Sequence, residues 1–167
     1  MRSRFNNVVN ARDVPHEDYS EPSGRYQAGA REIAEAAGAR DLGYSITRVA
    51  PGSRSNPFHF HHGEEEAFYV IEDRGLLRQG DGAGEDEVVE LGPGDVVAFP
   101  AGTGIAHQFI NDGDVPLAYL AISNKVYSDV VEFPDSDKVL VRSTRLIARR
   151  SPRLEYFDGE LGDGQSG

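Results

Sequence analysis

The stretch HFHHGEEEAFYVIE, residues 59–72, packs three of the chain's five histidines into four positions, follows them with three glutamates, and then runs into apolar β-formers. Residues two apart on a strand share a face. His59 and His61 therefore project to one side and His62 to the other. In EAFYVIE the same period places Glu66, Phe68 and Val70 on one face and Ala67, Tyr69 and Ile71 on the other. Both faces are apolar, whereas a sheet with one solvated face alternates apolar with polar. The outer face needs cover from the N-terminal segment, the C-terminal tail or another subunit. A homodimer is the economical expectation, because contiguous apolar patches are rarely left open on a monomer.

Working outward, short apolar or alternating runs recur: YSITRVA, VVEL, VVAFPAG, IAHQFI, LAYLAIS and YSDVVEF. Between them lie turn-forming PGSRSNP, DRG, GDGAGEDE, GPGD and NDGDVP. Many short strands at near-regular spacing predict an all-β sandwich or barrel. No strand–helix–strand alternation argues for a doubly wound sheet. Residues 1–40 read as polar and irregular, with one short helix over 30–39 bounded by Gly29 and Gly38. The expected organisation is an N-terminal arm (1–42), an antiparallel β-barrel (43–131) and a C-terminal extension (132–167).

The chain has 167 residues and no cysteine, which excludes disulfides, thiolate metal sites and thiol nucleophiles. Its net charge of −11, from 28 acidic and 17 basic residues, argues against nucleic-acid binding. No run has the length of a membrane helix. The start, MRSRFNNVVNARD, lacks the apolar segment of a signal peptide, and a cytoplasmic location is expected. One small basic cluster, RLIARRSPR at 145–153, sits near the C-terminus, where a solvated or inter-strand position is the ordinary reading and an anionic ligand the alternative.

A tight turn at His62–Gly63 would bring Glu66 beside His59 and His61. Two histidines remain for a further ligand, His16 in an irregular segment and His107 in the strand-like IAHQFI. Two or three imidazoles and a carboxylate converging in a barrel suit one divalent transition metal: Fe, Mn, Ni, Zn or Cu. Such an ion keeps positions open for water, O₂ or substrate only if it is five- or six-coordinate.

GSRSNPFHFHHGEEEAFYVIED (52–73) resembles the first motif of the cupin superfamily: Gly, His-x-His, four residues, Glu, six residues, Gly. GDVVAFPAGTGIAHQFIN (94–111) resembles the second, matching at Gly94, Pro100, Gly102, His107 and Asn111. The likeness covers about 43–123, and FPDSDKV (133–139) extends it to a bacterial single-domain group of cupins without an assigned activity. It implies an antiparallel jelly-roll β-barrel with one metal held by His59, His61, Glu66 and His107. There are three departures. Asp73 stands where the first motif closes on glycine, the gap from Gly52 to the first histidine is one residue longer than the family's usual five, and four residues rather than two separate Gly102 from His107.

The resemblance implies a metal-dependent enzyme acting on a small organic molecule in the barrel mouth, of dioxygenase, isomerase or lyase type. The alternative is a non-catalytic small-molecule binding or sensing protein. Phe68, Val70, Ile105 and Phe109 are expected to line the mouth, an apolar setting that suits an aromatic or aliphatic ligand. A sugar phosphate would need cations at the mouth, for which Arg48, Arg54 and Arg78 are the candidates. Asn111 and the Pro-Gly pairs read as turn formers.

Overall fold

The computed structural model describes residues 7–160. Its strands are β1 (Glu17–Ser20), β2 (Gln27–Glu32), β3 (Leu42–Val49), β4 (Phe60–His61), β5 (Glu66–Glu72), β6 (Gly75–Gly80), β7 (Glu87–Leu91), β8 (Val96–Phe99), β9 (Ala106–Ile110), β10 (Leu117–Asn124), β11 (Val130–Phe133), β12 (Lys138–Val141) and β13 (Leu146–Arg149). They form three antiparallel sheets, ordered β1-β2-β3-β10-β5-β8, β13-β12-β11-β4 and β7-β6-β9. Isolated bridges His59↔His107 and Arg54↔Ile110 tie the segment before β4 to β9. This is an all-β arrangement, as the strand spacing predicts, of the jelly-roll type that the resemblance implies. No helix among the described residues is long and apolar enough to cross a membrane.

Period two is realised in β5. Phe68 and Val70 are buried while Tyr69 is 45% exposed. The inward side chains of β3, β5, β9 and β10 meet in one core of Val49, Phe68, Val70, Phe109, Leu117 and Tyr119, with Leu77, Leu91 and Phe99 closing it. Aromatic rings dominate this core. Phe68 lies 4.8 Å from Phe109, and Phe109 stacks on Tyr119 at 4.5 Å. Fully burying a side chain of this size contributes about 1.5–3 kcal/mol.

Residues 7–40 are less irregular than their composition suggests. β1 and β2 form a hairpin whose inner strand pairs with β3 from Ala28↔Val49 to Glu32↔Ser45. QAGARE has no apolar alternation, so backbone pairing onto an open edge decides its state. The helix shrinks to Ile33–Ala36, because residues 30–32 belong to β2 and its first turn has no side-chain cap. The turn closing the first motif survives without glycine. Asp73 takes φ 61° and its Oδ1 accepts from the Arg74 amide at 2.7 Å, a conformation Asp tolerates better than most residues. The glycine that matters sterically is Gly75, where a Cβ would come within 2.6 Å of Leu117.

The outer face of the large sheet stays apolar and open. Strand register aligns Ile46, Leu120, Tyr69 and Val96 in one row and Tyr44, Ile122, Ala67 and Ala98 in the next. Val96 is 68% exposed, and among the described residues neither the N-terminal hairpin nor the C-terminal strands cover it.

Candidate metal centre

His59 lies just before β4, paired to His107 by two backbone hydrogen bonds, 3.3 Å from its own N–H and 2.8 Å from that of His107. The pairing sets the two side chains opposite each other across the seam between sheets. His61 sits on β4 opposite Val131, and Glu66 opens β5 opposite Phe99. The ligand atoms of His59, His61 and Glu66 all lie within 4.8 Å of one another. His107 reaches the same carboxylate, its Nε2 standing 3.1 Å from Glu66 Oε2, while His61 Nε2 is 3.3 Å from that oxygen. The four residues marked by the sequence thus meet around one carboxylate. His62 faces away and pairs with Glu132 at 2.8 Å. His16 pairs with Asp18 and lies apart from the group.

Hydrogen bonding fixes two of the ring tautomers. His59 Nδ1 is 2.7 Å from the Pro57 carbonyl, which only accepts, so Nδ1 donates. His61 Nδ1 donates to Asp129 Oδ2 at 2.6 Å. Each Nε2 therefore carries its lone pair into the group. Asp129 is itself anchored, its Oδ1 accepting from the amides of Gly63 at 2.8 Å and Glu64 at 3.3 Å. Carboxylate–histidine pairs of this kind orient metal ligands and raise their basicity. The His107 ring is placed by stacking on Phe99 at 4.1 Å and 17°.

The donor set fits a cation. Glu66 Oε2 is buried without a hydrogen bond of good geometry, and the His61 lone pair faces it. Two lone pairs held this close repel each other, and a cation between them removes the repulsion. Electrostatics point the same way. Burial, and then the neighbouring His107, pull His59 down to about 3, keeping it neutral. Burial pushes the Glu66 carboxyl up, but the surrounding imidazoles outweigh it and hold the group at about 2. A neutral His59 beside an ionised Glu66 is a pairing of protonation states that coordination needs.

A second buried group, His61, Glu64 and Asp129, also has metal-ligand spacing. Its carboxylates are already engaged. Glu64 accepts from the Val126 amide at 3.1 Å and pairs with Arg142. Asp129 serves His61 and two amides, which outweigh its burial and hold its pKa low. This group supports the first. It was not visible in the sequence, because Asp129 lies 68 residues from His61 and has no motif of its own.

A cavity of about 240 Å³ opens beside His59, Glu66 and His107. Phe68 and Phe109 form part of its wall as expected, but Tyr19, Glu32, Ser45, Thr47, Ser55 and Tyr119 make it far more polar than the sequence suggests. Ile105 is 45% exposed on the turn before β9 instead of facing this cavity, and Val70 is absorbed in the core. Two of the three arginines considered for the mouth are committed elsewhere. Arg48 pairs with Glu72 at 2.8 Å, and Arg78 is clamped between Asp86 and Asp135 while stacking on Phe58. Arg54 pairs through its backbone with Tyr26 and Ile110, and its side-chain Nε is buried without a hydrogen-bond partner. Asn111 is a structural turn former, donating to Val49 and Val115 carbonyls and accepting from the Gly113 amide.

Comparison with known proteins places this geometry in a wider setting. Residues 45–123 match the family model described as a cupin domain. A glucose-6-phosphate isomerase of Thermococcus litoralis is 27% identical over 124 residues, covering 68% of this chain and 64% of that enzyme, so the match spans just under two thirds of the relative's length. A crystal structure from Acidithiobacillus ferrooxidans, provisionally assigned as a sugar phosphate isomerase, superposes with a TM-score of 0.75 at 28% identity, covering 86% of this chain and 90% of that one. A sugar phosphate isomerase of Silicibacter pomeroyi shares the fold, with a TM-score of 0.75 at 23% identity over 90% of this chain and 98% of its own.

Proposed function

This chain belongs to the cupin superfamily, and from that premise we propose that it is a metal-dependent isomerase of a small polyhydroxylated molecule, of sugar phosphate type, bound in the barrel mouth. The observation that carries this reading is the cavity wall. Tyr19, Ser45, Thr47, Ser55 and Tyr119 line the cavity beside the candidate metal centre, with the Tyr19 hydroxyl already donating to the Ser55 carbonyl, and this polar wall suits a polyol better than an aromatic or aliphatic substrate. His59, His61, Glu66 and His107 are the residues assigned to hold one divalent ion, Fe, Mn, Ni, Zn or Cu. When bound, it supplies a Lewis acid that polarises a substrate carbonyl.

The chain's own groups supply the rest. Glu32 is the carboxylate on the cavity wall outside the ligand set. We assign it proton transfer between adjacent carbons, taking the proton beside the carbonyl and returning it to the former carbonyl carbon, while the neighbouring hydroxyl gives up its proton and the carbonyl oxygen gains one. Phe68 and Phe109 pack the floor and keep water from the reacting carbons. The open rows around Tyr69 and Val96 are assigned to a homodimer interface. A cytoplasmic location completes the reading.

The test is isomerisation of aldose and ketose phosphates in D₂O by protein reconstituted with each candidate metal. Deuterium from solvent should enter the product at the carbon next to the carbonyl, chelator should abolish turnover, and Glu32→Gln should lower kcat. Phosphates that bind but never interconvert under any metal would favour a non-catalytic binding role instead.

A further inference from the structure

The sequence marks a basic cluster at 145–153 that the site above does not use. Part of it lines a separate open cavity of about 630 Å³, walled by Arg40, Lys125, Tyr127, Arg142 and Arg145. In a chain of net charge −11, cations have carboxylates in abundance to pair with. Arg142 does so, with Glu64 and at 3.9 Å with Asp129. Arg40, Lys125 and Arg145 have no carboxylate within ion-pair distance among the described residues, and all three are exposed. Such unpaired cations around a concavity focus a positive field on it.

Backbone geometry adds a second observation. The β12–β13 connection turns through Arg142–Arg145, closed by the Arg145 amide donating to the Arg142 carbonyl at 3.2 Å. Arg145 sits at φ 56°, a left-handed position where glycine or asparagine is the unstrained choice. The chain keeps a guanidinium there instead. Tyr127 braces the turn, its hydroxyl donating to the Ser143 carbonyl at 3.2 Å. Strain retained at a braced position is a mark of functional sites.

Lys125 and Arg142 also line a cavity of about 340 Å³ that has Glu66, Glu32 and Ser45 on its other walls. Those three residues border the metal-site cavity as well. Shared lining residues thus set the three cavities side by side, in a path from the cations to the candidate metal centre. We propose that Arg40, Lys125 and Arg145, with Arg142 behind them, form a phosphate-binding subsite at the outer end of this path. The anion is a phosphate group, for which arginine forks and a lysine ammonium are suited donors. That the phosphate belongs to the substrate rests on the isomerase reading; the existence of the subsite does not.

The experiment titrates inorganic phosphate into the full-length protein by calorimetry, using wild type, Lys125→Gln, Arg145→Gly and His61→Ala. Loss of one charge-assisted contact should weaken binding about tenfold in Lys125→Gln and Arg145→Gly, with His61→Ala unchanged. Arg145→Gly relieves the left-handed strain, so its melting temperature should be equal or higher, which separates lost binding from lost folding. Binding that disappears in His61→Ala but persists in Arg145→Gly would put the phosphate at the metal site and overturn the proposal, as would no saturable binding by wild type. A second arm compares phosphorylated with unphosphorylated sugars. A raised KM for the phosphorylated sugar alone in Arg145→Gly links the subsite to the substrate. No turnover of either sugar, with phosphate binding intact, sinks the isomerase reading and leaves the subsite standing.

Discussion

Replacing Asp129 by Asn perturbs the candidate centre while leaving every assigned ligand in place. In the native arrangement one carboxylate oxygen accepts from His61 Nδ1 at 2.6 Å, and the other accepts from the Gly63 and Glu64 amides at 2.8 and 3.3 Å. Asparagine has a single acceptor oxygen. If it stays on the amides, the side-chain NH₂ faces His61 Nδ1, which must then accept. The imidazole proton moves to Nε2, and the lone pair aimed at Glu66 and the metal is lost. If the amide flips, its NH₂ opposes the Gly63 N–H at hydrogen-bond distance. The flipped amide leaves a buried polar group unsatisfied, costing about 1–3 kcal/mol of stability, whereas in the first arrangement the new Nε2–H faces Glu66 Oε2 at 3.3 Å and the loss falls on metal binding. Loss of a histidine-orienting carboxylate typically lowers metal affinity about 10- to 100-fold, or about 1.4–2.8 kcal/mol. The assay is chelator competition at about pH 7.5, above the free histidine pKa of about 6.5, with thermal melts of the metal-free forms alongside. Metal affinity within about twofold of wild type, in a folded Asp129→Asn protein, would refute this chain of reasoning.

Acid should destabilise the metal-free protein in two steps. His59 is held at about 3 in the fold against about 6.5 unfolded, so stability is whole above about 6.5 and falls as pH drops toward 3. Glu66, held at about 2, adds stability above its unfolded value of about 4.3 that disappears as pH falls through 2; a urea midpoint that stays flat between about pH 7 and 4 would contradict the His59 assignment, and one flat between about pH 4 and 2 the Glu66 assignment. Phe109→Ala empties a site 2% exposed beneath Phe68 and Tyr119 and should cost about 3–5 kcal/mol in denaturant unfolding, whereas a loss under 1 kcal/mol would mean that this core is not close-packed. Tyr69→Asp together with Val96→Asp should convert the proposed homodimer to a monomer in sedimentation without unfolding it, and a wild type already monomeric at micromolar concentration would remove the interface assignment.

The sequence displayed the site more fully than its surroundings. Period two placed His59 and His61 together, the four-residue gap of the first motif together with strand phase singled out Glu66, and the second motif supplied His107 despite its longer preceding loop. Glu64 proved to be a buried partner of Arg142, which no local pattern announces. Asp129 was invisible for the same reason, since its role exists only once β11 is laid beside β4. The cavity lining was misjudged because it draws on β1, β2 and β3 as well as on the motif strands. β1 and β2 themselves were hidden by composition. QAGARE joins the sheet through backbone pairing to β3, and hydrophobic periodicity carries no record of that. Asp73 was legible in the opposite way, because its tolerance of left-handed geometry is a property of the residue alone.

The central claim is that His59, His61, Glu66 and His107 hold one metal ion. Elemental analysis of wild type, His61→Ala, His107→Ala and His62→Ala, each purified identically and checked for folding by circular dichroism, tests it most directly. The account predicts about one equivalent of a divalent first-row metal in wild type and in His62→Ala, whose imidazole faces Glu132, with marked loss in His61→Ala and His107→Ala. Equal metal content in all four folded proteins, or none in wild type after reconstitution, would contradict it.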